Sequence, residues 1–206
     1  NLIKKHFLFR KRAEDIYSWP TARPDWEVKY FSTTLLSDVW QNWCHFCRIV
    51  VIRSCEGTTT RTGVHIPPRP LVNTWQRISY ESKQASNGKP IHPSKALNSM
   101  RHEPTWGDQR LLLRAIPQLS PHNAGALVTG FGLSLNAPKH IQIIRNACFH
   151  TNTETMSEVR RLVAFYVGRN LYHPTDIMWW VEPTSKADAI FHWLEELEII
   201  AAQVTH

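Results

Sequence analysis

Within residues 34–55 the apolar side chains Val39, Trp40, Trp43, Cys44, Phe46, Cys47, Val50 and Val51 recur at intervals of three and four. That is the period of an α-helix. They cover more than half of its circumference, so the segment predicts a central helix with neighbours on most sides. Thr34 or Ser37 can serve as N-cap, and Gly57 follows as a stop signal. Arg48 and Arg53 are its polar exceptions, expected to be solvated or paired.

Further helices are legible on either side. Val72, Trp75, Ile78 and Ser79 predict a helix over 71–84. Residues 108–116 predict another, ended by Pro117. A short one is expected over 121–130, capped by Ser120 with Pro121 at its first position. Asn136 and Pro138 open a helix through Ile141, Ile144 and Cys148. The next is expected over 155–170. Ser185 and Asp188 make a capping-box-like start for the last, which runs to about Val204 with Trp193 and Leu197 on its core face. Glu195, Glu196 and Glu198 read as its solvated side. Residues 57–70, with Pro67, Pro68 and Pro70, read as a linker. Residues 86–103 read as a polar, mobile stretch. The expectation is an all-α helical bundle of five or more helices in a single domain, 1–206. It has a basic N-terminal arm or helix at 1–32, an irregular insert at 57–105, and motif-bearing helices at 138–206.

Composition narrows the class. The chain has 206 residues, 42% of them apolar, which suits a globular domain and excludes a disordered chain. No run approaches the ~18 uncharged apolar residues of a membrane span. The amphipathic basic segment at 1–17 lacks the apolar region and cleavage site of a signal peptide. The chain opens at Asn1 rather than Met, which leaves a removed start or a longer parent chain open. Cytoplasm is the expected compartment. The net charge of +7 is unevenly placed: residues 145–206 hold five basic and eight acidic residues, and the rest of the chain carries the positive excess. Such a basic region is suited to a polyanion. Cys44 and Cys47 form a C-x-x-C without the second pair that a structural zinc needs, and they read as core residues. No metal and no cofactor are expected.

The chemistry-bearing segment is residues 139–150, where Arg145 is followed directly by Asn146 and five positions on by His150. An arginine offers several donors to phosphoryl oxygens and keeps its charge. A histidine is suited to take a proton near neutral pH. On a regular helix these two side chains point about 140° apart. They share one pocket only if His150 lies past the helix end or if two copies meet. Arg145 pairing with an acid, and His150 capping or packing at the helix end, is the structural alternative. Lys139 and His140, and Arg160 and Arg161 one helix on, are further candidates for phosphate contact. Solvent exposure for the first pair, and pairing with Glu158 for the second, stay open. Trp40, Trp43 and Trp193 fall on apolar faces, whereas Trp75 and Trp106 are candidates for base stacking.

Arg145, Asn146 and His150, late on an apolar helix that another helix follows, resemble the signature of the HEPN superfamily. The resemblance spans about residues 138–166. It implies a metal-independent endoribonuclease in which Arg145, Asn146 and His150 are catalytic, and RNA is the substrate. It also implies a homodimer with the motifs facing across the interface, and a setting as a toxin or effector of prokaryotic defence, with an inhibitory or regulatory protein partner. The competing class is a non-catalytic helical module that binds nucleic acid or a protein through its basic N-terminal region.

Overall fold

The computed structural model describes residues 2–19, 24–93 and 97–206, with side chains from residue 5 onward. Asn1, residues 20–23 of the basic arm and residues 94–96 of the insert lie outside the described residues. The chain is all-α, as its periodicities predict. Among the described residues the helices are α1 (Leu2–Tyr17), α2 (Asp25–Glu56), α3 (Trp75–Ser86), α4 (Gln109–Leu119), α5 (Ala124–Phe131), α6 (Ala137–Phe149), α7 (Thr153–Leu162) and α8 (Ala189–Val204). Short 3-10 segments lie at Met100–His102, Val163–Phe165 and Pro174–Trp179. One two-residue hairpin pairs β1 (Thr58–Thr59) with β2 (His65–Ile66). No described helix is long and apolar enough to cross a membrane.

The chain divides into two compact units, residues 1–43 with 135–198 and residues 44–134 with 199–206. In the first unit, the buried apolar residues come from α1 (Phe9, Ala13, Ile16), α2 (Leu36, Val39, Trp40, Trp43), α6 (Ile141, Ile144, Ala147), α7 (Val159, Leu162) and α8 (Ile190, Trp193, Leu194). Each such large side chain contributes roughly 1.5–3 kcal/mol when fully removed from water. α6 packs on α7 and on the 3-10 segment Pro174–Trp179. α7 stops at Leu162, short of the expected residue 170. Tyr166 is extended (φ −134°, ψ 150°), and Val167 pairs with Val181 across a β-bridge. Gly168 makes this possible: a Cβ there would stand 2.1 Å from Cγ of Trp180.

The second unit is built around a buried charge cluster. Arg69 is 2% exposed and Glu81 6%. The Arg69 guanidinium donates to Asn73 Oδ1 (2.8 Å), Leu119 O (2.9 Å) and Val72 O (3.0 Å), and it pairs with Glu81 Oε2 at 2.8 Å. Arg77 donates to the other oxygen of Glu81 at 2.6 Å. A buried charge with these partners is satisfied; without them it is costly. The cluster ties the proline-rich segment to α3 and to the end of α4, and α4 packs on both α3 and α5. A second ion pair is bidentate: Arg48 donates to both oxygens of Glu103 (2.7 and 2.8 Å), and Trp106 Nε1 donates to Oε2 at 2.8 Å.

Local chemistry explains the displaced boundaries. α2 begins at Asp25 rather than near Thr34, with Asp25 and Glu27 in its first turn facing the positive helix end. It stops where expected: Gly57 has φ +93°, a conformation most side chains resist. α3 starts at Trp75 because Thr74 caps it, and Leu71 and Val72 stay outside it, exposed. α4 runs through Pro117 to Leu119. Pro117 forfeits the bond to the carbonyl four residues back, and buried Ile116 and Leu119 hold the turn closed despite it. Ser120 then takes a left-handed φ of 50° and closes α4, so it does not cap α5. Segment 86–103 is tied down at several described points. Arg77 donates to His92 O (2.8 Å) and Lys83 to His102 O (2.9 Å), and Asn98 Nδ2 donates to Ser79 Oγ (3.2 Å).

Replacing Arg69 with Met leaves Glu81 buried with one partner fewer. The expected loss is about 3–5 kcal/mol, read as a lower urea midpoint. An unchanged midpoint would show that the cluster is dispensable.

Candidate functional site

α6 is held at both ends. Pro138 sits in its first turn after Asn136, as the sequence predicts, but no side chain of Asn136 caps it. The cap comes from α8: Glu196 accepts the N–H of Ala137 at 2.7 Å. Glu196 is 7% exposed, which corrects its reading as a solvated acid. A carboxylate at a helix start is favoured by the helix dipole. Glu195 is exposed, and Glu198 pairs with the buried His6 at 3.3 Å.

At the other end stand Arg145, Asn146 and His150. Arg145 and Asn146 are half-buried, and Arg145 Nη1 donates to Asn146 Oδ1 at 3.3 Å. The guanidinium carbon lies 4.8 Å from the centre of the Phe149 ring. Arg145 Nε is buried without a hydrogen-bond partner among the described residues. No described carboxylate pairs with Arg145, so the alternative in which an acid neutralises it is not what the structure contains. His150 lies past the last helical residue (φ −132°, ψ 60°), and its N–H still bonds the carbonyl of Asn146 at 2.8 Å. Its ring is exposed. His150 thus meets the first of the two conditions under which it could share a pocket with Arg145, that it lie past the helix end.

The segment after the site is closely bonded. Thr151 Oγ1 donates to Ala147 O (2.9 Å) and Thr155 Oγ1 to His150 O (2.8 Å). Asn152 and Thr155 form a capping box that starts α7. Cys148 is half-buried, and burial pushes its thiol up despite a hydrogen bond with Thr33 and the nearby Arg145. It therefore stays protonated at neutral pH. Neither Cys44 nor Cys47 is in a disulfide, and burial with Cys44 alongside pushes the Cys47 thiol well up. Among the described residues no group of three His, Cys, Asp or Glu is arranged to hold a metal ion.

The other candidates part company. Lys139 is exposed but lies about 9 Å along the helix axis from Arg145. Arg160 and Arg161 are exposed in the last turn of α7, and neither pairs with Glu158 among the described residues. His140 is corrected: it is 2% exposed and belongs to the core. Its Nδ1 lies 2.5 Å from Tyr166 Oη, which also accepts from Trp193 Nε1 at 2.7 Å. Trp193 can only donate, so Tyr166 Oη is the acceptor in that bond, and with His140 the hydroxyl donates to a bare Nδ1 or accepts from Nδ1–H according to the tautomer. Trp106, 4% exposed and bonded to Glu103, is no stacking platform; Trp75 lies beneath the Arg48 guanidinium at 5.4 Å.

The residues missed from sequence are Phe149, which holds Arg145, and Glu196, which caps the helix carrying it. The i, i+4 spacing of Arg145 and Phe149 was the available signal for the first.

Burial, followed by the charges of Lys139 and His192, lowers His140 to about 4. An unfolded imidazole binds a proton below about 6.5. The neutral His140 therefore contributes its full stability above pH 6.5. That contribution is lost progressively as the pH falls toward 4, on the order of 3 kcal/mol in all. The thermal midpoint of the wild-type chain should drop more steeply across this window than that of His140→Gln, which keeps a hydrogen-bonding group for Tyr166. Equal slopes would remove His140 as the cause. No family model, curated protein or solved structure matches this chain.

Proposed function

We propose that this chain is a HEPN-type, metal-independent endoribonuclease whose chemistry rests on Arg145, Asn146 and His150. The observation that supports it most is an arginine left without an acid partner at the end of a helix whose next residue presents an exposed histidine. A structural arginine in this half-buried position would ordinarily be expected to find a carboxylate.

In this reading the 2′-hydroxyl of RNA attacks the adjacent phosphorus. His150 takes the hydroxyl proton as the new P–O bond forms. The bond to the 5′-oxygen breaks, and that oxygen takes up a proton from solvent water as it leaves. Negative charge accumulates on the non-bridging oxygens, where the Arg145 guanidinium donates to it. Asn146, which accepts from Arg145 through Oδ1, steadies the guanidinium or donates from Nδ2 to the phosphate. The products are a 2′,3′-cyclic phosphate, or the 3′-phosphate it opens to, and a 5′-hydroxyl. Exposed Lys139, Arg160 and Arg161 supply charge for the RNA backbone at longer range. Two copies of the motif facing each other complete the cleft, and the protein acts in the cytoplasm as a toxin or defence effector restrained by a partner.

Arg145→Ala and His150→Ala should each lower RNA cleavage by at least about a hundredfold. Thermal midpoints should stay near wild type, because the His150 ring is exposed. The assay is product analysis on a 5′-labelled RNA with and without EDTA. Cleavage that survives both substitutions refutes the site. Salt-dependent RNA binding with no cleavage by the wild-type protein favours the non-catalytic binding module instead.

A further inference from the structure

An arginine that stabilises a phosphate must be held still while its donors stay free. A carboxylate would hold it but also consume its charge and two of its N–H groups. Arg145 is held differently. Phe149, one turn on along α6, carries its ring 4.8 Å from the guanidinium carbon. Among the described residues the Arg145 side chain makes one long hydrogen bond, to Asn146 at 3.3 Å, and Nε has no hydrogen-bond partner. Phe149 is itself 51% exposed, so it is not a core residue that Arg145 merely happens to cover. An aromatic face attracts a guanidinium through its quadrupole and asks for no hydrogen-bond donor in return.

We infer that Phe149 is a positioning residue for the cleavage reaction. Its ring fixes the plane of the Arg145 guanidinium and leaves the Nη donors available to the phosphoryl oxygens. The inference rests on the nuclease reading above. It explains why the segment spends an exposed phenylalanine immediately before His150, and why Arg145 needs no acid. The ring acts through Arg145, so its removal should affect the turnover step more than substrate capture, since the arginine's charge remains.

The test compares the wild-type chain with Phe149→Leu, Phe149→Tyr and Phe149→Trp. Leucine keeps apolar bulk without a π face; tyrosine and tryptophan keep the face. Cleavage of a short RNA is measured at several concentrations. The Arg145 Nε–H resonance, assigned by its loss in Arg145→Lys, reports the ring-current shift. Phe149→Leu should lower kcat by roughly tenfold to a hundredfold, as expected for a mispositioned catalytic group, with KM nearly unchanged. The Arg145 resonance should move toward its free position in the same variant. Phe149→Tyr and Phe149→Trp should restore both. A wild-type kcat in Phe149→Leu, with Arg145→Ala inactive, overturns the positioning role and leaves the nuclease reading standing. An unshifted Arg145 resonance in the wild type overturns the contact itself. No cleavage by the wild type, with the resonance behaving as expected, brings down the nuclease reading and the positioning role together while the contact stands.

Discussion

The hydroxyl of Tyr166 is where three segments of the motif-bearing unit meet. It accepts from Trp193 on α8 and bonds His140 on α6, and its own residue ends the turn that follows α7. Each of these groups is buried, so each needs its partner: a donor or acceptor left alone there costs about 1–3 kcal/mol. The network is directional in a way that apolar packing is not. It permits one rotation of α6 about its axis, the one that turns His140 inward. With that rotation set, Arg145 and Asn146 fall at the half-buried edge. Glu196 adds a constraint along the axis by bonding the first N–H of the same helix.

Much of this was legible in the residues. The apolar periods located α2, α6 and α8, Gly57 marked the end of α2, and Asn136 with Pro138 marked the start of α6. His140 was read as a surface group from its polarity, although the spacing of Ala137, Ile141, Ile144 and Ala147 puts it on the apolar face. Glu196 was hidden for a different reason. It sits in an acidic run whose other members do reach water, and its partner, the N–H of Ala137, lies 59 positions away in sequence. Pro117 misled because buried Ile116 and Leu119 hold the last turn of α4 closed despite the hydrogen bond that a proline there forfeits. Arg69 gave no local sign of burial at all, since its partners come from three separate places in the chain.

The candidate site follows the same division. The identity and spacing of Arg145, Asn146 and His150 are sequence facts. That the backbone leaves the helix at His150, and that Arg145 rests on a ring rather than a carboxylate, are facts of folding. The two are linked through chain geometry: Phe149 is the last helical residue, so the contact that holds Arg145 is made in the turn that releases His150.

The three prolines that flank Arg69 have a consequence of their own. All three are exposed, so they add little to the packing. Each nevertheless restricts the segment before folding begins, which lowers the entropy lost when the chain is ordered. The stiffened stretch meets the fold already extended, with its guanidinium projecting from a backbone that has few other shapes to abandon. A charge is thus carried into the interior by a segment whose unfolded state is unusually narrow. The cost of ordering that segment falls less on the ion pair than it would in a flexible loop.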